Sequence, residues 1–97
     1  MKKRHTLPLR FRILHYSATV EKFDINDLIH DLNDEYHGEG QFTQKGLSLH
    51  CDTLRACGLL EEKEVNVNDD GSLRIVYALT QYGRERLSYL PDEWKLE

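Results

Sequence analysis

Near the head of one helical segment, Gln44, Lys45, Ser48 and Leu49 fall at outward-facing positions, with Thr43 immediately before them. Their types suit the edge of a nucleic-acid base. A glutamine carboxamide sets a donor beside an acceptor and pairs with adenine, a lysine ammonium meets guanine or a phosphate, and a leucine touches the thymine methyl. Asp52 lies one turn deeper, and Arg55 beyond it suits a phosphate or a neighbouring acid. The same side chains would also make a plain solvated helix face, so spacing alone leaves both readings open.

Other chemistry finds less support. The histidines His15, His30, His37 and His50 include no i, i+4 pair with a third ligand at clear spacing, so no metal is expected. No Gly-rich phosphate loop, nucleophile elbow or His-Glu-x-x-His pattern occurs, so neither an enzyme nor a cofactor is expected. Two cysteines are too few for a disulfide framework. Cys51 and Cys57 are six apart on one expected helix, about 240° around its axis, so they cannot pair within it. Both read as small residues on its packed side.

The elements that must position these residues follow from periodicity and punctuation. A first helix is expected over about 8–20, where Leu9, Ile13, Tyr16 and Val20 form a stripe that Phe11, Leu14 and Ala18 widen to a second side. Glu21-Lys22-Phe23 is a short connection with room for one bridge of extended chain. Asp24 is a good N-cap for a second helix at 25–36, carrying Ile25, Leu28, Ile29 and Leu32. His37-Gly38-Glu39-Gly40 breaks the chain. Phe42 and Thr43 then open a third helix at 44–57, with Leu47, Cys51 and Leu54 on its packed face and Ser48, Asp52 and Arg55 outside. Gly58 supplies the left-handed residue that stops it. Strands at 59–67 and 72–80 flank the turn Asn68-Asp69-Asp70-Gly71. Thr80 caps a last helix at about 81–90, ended by Pro91.

Two motifs in this order carry a resemblance. Ser48 to Leu60 reads S-x-H-(apolar)-x-x-L-R-x-(small)-G-L-L, and Val76 to Gly83 reads V-Y-x-L-T-x-x-G. Together they resemble the third helix and the hairpin-closing passage of ArsR-like, MarR-like and PadR-like winged helix-turn-helix regulators, over roughly residues 9–90. The resemblance implies an α+β fold: three helices, a two-stranded hairpin wing and a C-terminal helix. It also implies a DNA-binding transcription regulator whose helix 44–57 enters the major groove. Thr43, Gln44, Lys45, Ser48 and Leu49 would then meet bases, while Arg55 and Arg74 would hold the backbone. A homodimer is expected, from the small size of the domain and the two-sided first helix, an element that often serves the dimer contact in such regulators. The chain departs from the pattern in its long link between the second and third helices, where a turn of three or four residues is usual. The thiolate metal site of ArsR-like proteins would fall at Phe23 to Leu28, which holds no cysteine.

Charge complicates this picture. The whole chain carries −4, unevenly spread. Residues 1–16 hold Lys2, Lys3, Arg4, Arg10 and Arg12 with no acid, whereas residues 17–40 sum to −6 and residues 61–79 to −3. Lys2, Lys3 and Arg4 would suit a basic arm (residues 1–7) lying along phosphates, ahead of a domain at 8–91 and a tail at 92–97. On the wing, Arg74 is the one base placed to offset Asp69, Asp70 and the strand glutamates. The alternative is therefore an interaction adaptor that offers its acidic surface to a protein partner and does not bind DNA. No apolar run approaches the ~20 residues of a bilayer crossing, and no signal-peptide core follows the basic start, so a cytoplasmic protein is expected.

Overall fold

The computed structural model describes residues 6–94. Helix α1 spans Leu9–Ser17, α2 Ile25–Tyr36 and α3 Gln44–Ala56. Strands β1 (Leu60–Val67) and β2 (Leu73–Leu79) form an antiparallel hairpin, and a short helix α4 (Gln81–Arg86) follows. The chain is thus α+β, with the element order expected from its sequence.

Each boundary has a local cause. Asp24 caps α2 through a reciprocal box: its carboxylate accepts from the Asp27 amide at 2.8 Å, and the Asp27 carboxylate accepts from the Asp24 amide at 2.9 Å. Thr43 caps α3 by accepting from the Gly46 amide at 3.0 Å. At its far end Gly58 adopts φ +81°, its amide bonds to the Arg55 carbonyl, and the Leu59 amide reaches back to the Leu54 carbonyl. That paired closure ends a helix on a left-handed residue.

Helix α1 is shorter than the 8–20 expected. The hydroxyls of Ser17 and Thr19 donate to the carbonyls of Leu14 and Tyr16, turning the chain out of the helix before Val20. The last helix is also shorter than 81–90: α4 ends at Arg86, and Leu87–Tyr89 tighten into a 3-10 turn.

The hairpin runs in register from Leu60 opposite Leu79 to Val67 opposite Leu73, with an irregularity between Glu62 and Glu64. Its base is buried and its tip stands free of the core: Leu60, Val76, Tyr77 and Ala78 are buried, while every residue from Glu61 to Arg74 is exposed. Phe23 adds one bridge to Tyr77, with amide-to-carbonyl distances of 3.0 and 2.8 Å.

One core holds the helices and the hairpin base together. Ile13 of α1, Leu28 and Leu32 of α2, Leu47 and Cys51 of α3, and Leu60, Phe23 and Tyr77 are all essentially inaccessible. Full burial of such a side chain stabilises the fold by roughly 1.5–3 kcal/mol, so these few positions dominate folding. A second, smaller cluster joins Leu7, Leu90 and Trp94, so the chain beyond α4 returns to the start of α1. Trp94 sets its edge to His15 with centroids 5.0 Å apart, and the Arg12 guanidinium lies 5.0 Å from the indole centre. The chain's own C-terminal segment thus covers the part of α1 that carries Arg12 and His15. Phe11 stays out, 51% exposed.

Candidate nucleic-acid interface

The first turn of α3 projects from the body because its other face is anchored. Leu47, Cys51 and Leu54 are buried beneath it, while Thr43, Gln44, Lys45 and Leu49 are exposed and Ser48 is half-buried. These five residues therefore share one accessible end of one helix. Gln44 is steadied by its neighbour: its Nε2 donates to the Asn26 Oδ1 at 3.2 Å. Thr43 spends its hydroxyl oxygen on the cap, which leaves less of it for an outside partner.

A cleft of about 340 Å³ separates this turn from the hairpin tip. Gln44 and Ser48 form one wall with Asp24 and Asn26 at the start of α2, and Asn68, Asp70, Ser72, Leu73 and Arg74 form the other. Its lining is chiefly amide, hydroxyl and carboxylate, with Ile25, Leu73 and Ile75 between them. The structure thus brings Gln44, Ser48 and Arg74 to one place. Lys45, Leu49 and Thr43 lie on the same helix end outside the cleft walls, and Arg55 is remote from it. Lys2, Lys3 and Arg4 lie outside the described residues.

Both arginines assigned to a backbone are already engaged by the protein. Arg74 Nε lies 2.7 Å from Asp24 Oδ2, so the hairpin is clamped to the cap of α2. Burial works to raise the Asp24 carboxyl, but the Asp27 amide and Arg74 outweigh it and hold it below the usual carboxylate range. Arg55 Nε lies 3.2 Å from Glu62 Oε1, which makes the neighbouring-acid alternative the observed one.

The same pairing softens the acidity of the hairpin. Glu62 meets Arg55, Glu61 meets Lys63 at 3.0 Å, and Glu64 meets Lys22 at 2.5 Å. The Lys22 ammonium holds the Glu64 carboxyl below its ordinary value. All three strand glutamates thus face a cation. Asp70 is kept ionised by the amide and hydroxyl of Ser72, at 2.9 and 2.6 Å, and adjoins Asp69 at the tip. Uncompensated negative charge is concentrated at this tip, along one rim of the cleft.

The cysteines part company with the expectation that both pack inward. Cys51 is buried, its thiol pushed up to about 12 by burial. Cys57 is exposed: it is the cap residue after α3, where the chain turns off the helix before the packed side comes round again. Among the described residues no group of three or more His, Cys, Asp or Glu could hold a metal ion. No described helix is long and apolar enough to cross a membrane.

Residues that spacing did not single out are Asn26, Asn68 and Ser72. Asn26 reads in the sequence as one more solvated position on α2, and only the approach of α3 makes it a buttress. Compared with known proteins, the chain matches no family model and none of the curated proteins.

Proposed function

We propose that this chain is a winged helix-turn-helix, sequence-specific DNA-binding transcription regulator of the cytoplasm, acting by binding rather than catalysis. The head of α3 enters the major groove and the hairpin serves as the wing. The observation that carries this reading is the anchored, accessible head of α3, which offers Gln44, Lys45 and Leu49 outward while Leu47, Cys51 and Leu54 fix it from beneath. Base-edge contacts from amide, hydroxyl and methyl groups supply specificity. With Arg55 and Arg74 occupied, backbone contacts fall to Lys45 and to Lys2, Lys3 and Arg4.

A homodimer would present two such helices to a two-fold operator. The surface offered for it is an apolar groove of about 390 Å³ beside α1, where Phe11 stands as a projection next to the hollow formed by Leu14, Leu54, Leu59 and Tyr89. Projection and hollow on one face are self-complementary about a two-fold axis.

Selection from random duplex DNA, followed by binding across a salt series, tests the reading. A regulator enriches one sequence and loses affinity steeply as salt rises. A second reading, an adaptor for a protein partner, is favoured by exposed aliphatic side chains on the hairpin and on α3: Val67 and Leu73 are 72% and 60% exposed, and Leu49 65%. An adaptor enriches no sequence and hardly binds random duplex even at low salt.

A further inference from the structure

His50 faces inward from α3, and each of its ring nitrogens is met by a group from another part of the chain. Arg10 Nε, on α1, is 3.0 Å from Nδ1. Gln41 Oε1, in the connection between α2 and α3, is 2.7 Å from Nε2. A guanidinium Nε always carries hydrogen and never accepts, so Nδ1 must be the acceptor. The imidazole proton therefore sits on Nε2 and is donated to the Gln41 carbonyl oxygen. One protonation state of His50 satisfies both contacts: the neutral ring with hydrogen on Nε2.

A second proton has only Nδ1 to occupy. It would set N–H against N–H and place a cation beside the Arg10 guanidinium. Burial opposes that charge first, then Arg10 from α1, while Glu39 in the connection favours it, and the balance holds the imidazole below its ordinary value. The contacts also bear on where α3 begins. Gln41 is pressed to the first turn of α3, since a Cβ on Gly46 would lie 2.1 Å from the Gln41 carbonyl oxygen. The connection is thus held to α3 at two points, Gly46 and His50, and through His50 to α1.

We propose that His50 is an acid-sensitive latch that joins α1, the connection at 37–43 and α3, closed when the ring is neutral and opened when Nδ1 takes a proton. Because the folded form binds this proton less readily than the unfolded chain, the latch stabilises fully above roughly pH 6.5 and weakens as acidity drives His50 through its lower folded value. The latch is independent of what the head of α3 recognises. If that head reads DNA, acidification weakens the complex by disturbing the turn that carries Gln44 and Lys45.

The test is a proton–nitrogen NMR titration of the histidine rings in the full chain from pH 8 to 5, with His50→Gln to assign the signal and Arg10→Met to remove the cation. His30 has to be resolved separately, because Asp31 raises its value and sets its midpoint above that of His50. The expected result is a His50 ring protonated on Nε2 at pH 8, titrating below the ordinary histidine range. Arg10→Met should move that midpoint up by about half a pH unit or more. Backbone amides at 38–46 should shift with the same midpoint in the parent and lose that transition in His50→Gln. A ring protonated on Nδ1 at pH 8, or a midpoint that Arg10→Met leaves in place, overturns the latch. So does a loop transition that survives in His50→Gln. Should His50→Gln fail to fold, tautomer and midpoint in the parent and Arg10→Met decide alone.

Discussion

The Thr80 hydroxyl donates to the Gly58 carbonyl oxygen at 2.6 Å, joining the residue that ends α3 to the residue that begins α4. The Thr80 hydroxyl oxygen in turn accepts from the Gly83 amide at 2.9 Å, and the Thr80 amide donates to the Leu59 carbonyl oxygen. Gly83 fits because a Cβ there would lie 2.3 Å from the Leu59 carbonyl oxygen. The two sequence motifs, one around Gly58 and one around Thr80, are therefore the two halves of a single contact at the hairpin base.

Replacing Thr80 with alanine removes a cap and the bond to Gly58 together. The expected loss is about 1–2 kcal/mol, read as a lower urea midpoint at unchanged slope, and Thr80→Ser should recover most of it. Gly83→Ala should cost more than Thr80→Ala, since its new methyl meets backbone that cannot swing aside. Equal stability for Gly83→Ala and the parent would contradict the close approach described here.

Gln44 and Lys45 should separate by what their loss does to duplex binding. Gln44→Ala is expected to relax preference at one base pair by about 1–3 kcal/mol. Lys45→Ala should weaken all sequences alike and flatten the salt dependence. A Lys45→Ala protein that binds its selected sequence as well as the parent does removes that residue from the interface.

The clamp between Asp24 and Arg74 predicts an acid-sensitive hairpin. The folded Asp24 carboxyl lies below its unfolded value, so its contribution is complete above roughly pH 4 and is lost as pH falls through the folded value. Amide protection factors in β2 and at the start of α2 should fall together below that pH in the parent. In Asp24→Asn, where no charge remains to be lost, protection should be lower at neutral pH and much less dependent on acidity.

The thiols offer a labelling test of burial and of assembly. In the native protein a maleimide should add once, at Cys57, and a second time only after unfolding exposes Cys51. Cys57 lines the groove proposed for a second copy, so its labelling should slow as protein concentration rises. Phe11→Asp should abolish that concentration dependence, and light scattering should report a monomer for it at tens of micromolar.

Much of the fold is legible because its signals are local. As caps and turn residues Asp24, Thr43, Gly58, Gly71 and Thr80 act on their immediate neighbours, and they set α2, α3 and the hairpin nearly where the sequence puts them. What the sequence leaves hidden depends on partners far along the chain. Arg74 and Asp24 are 50 residues apart, and Arg10 and His50 are 40 apart. No periodicity announces such pairs, so Arg74 looks available in the sequence and is engaged in the fold. The helix-head residues Gln44, Lys45, Ser48 and Leu49 were legible as outward-facing because one helix repeat decides that by itself.

Trp94 is the only tryptophan in the chain, and it lies against α1 rather than among Ile13, Leu28 and Leu47. Its emission is consequently an optical gauge of the seam between the two ends of the protein. Peeling of residues 87–94 will register in fluorescence while far-ultraviolet ellipticity still reports intact helices. The gap between those two melting curves measures how tightly the chain's end is fastened.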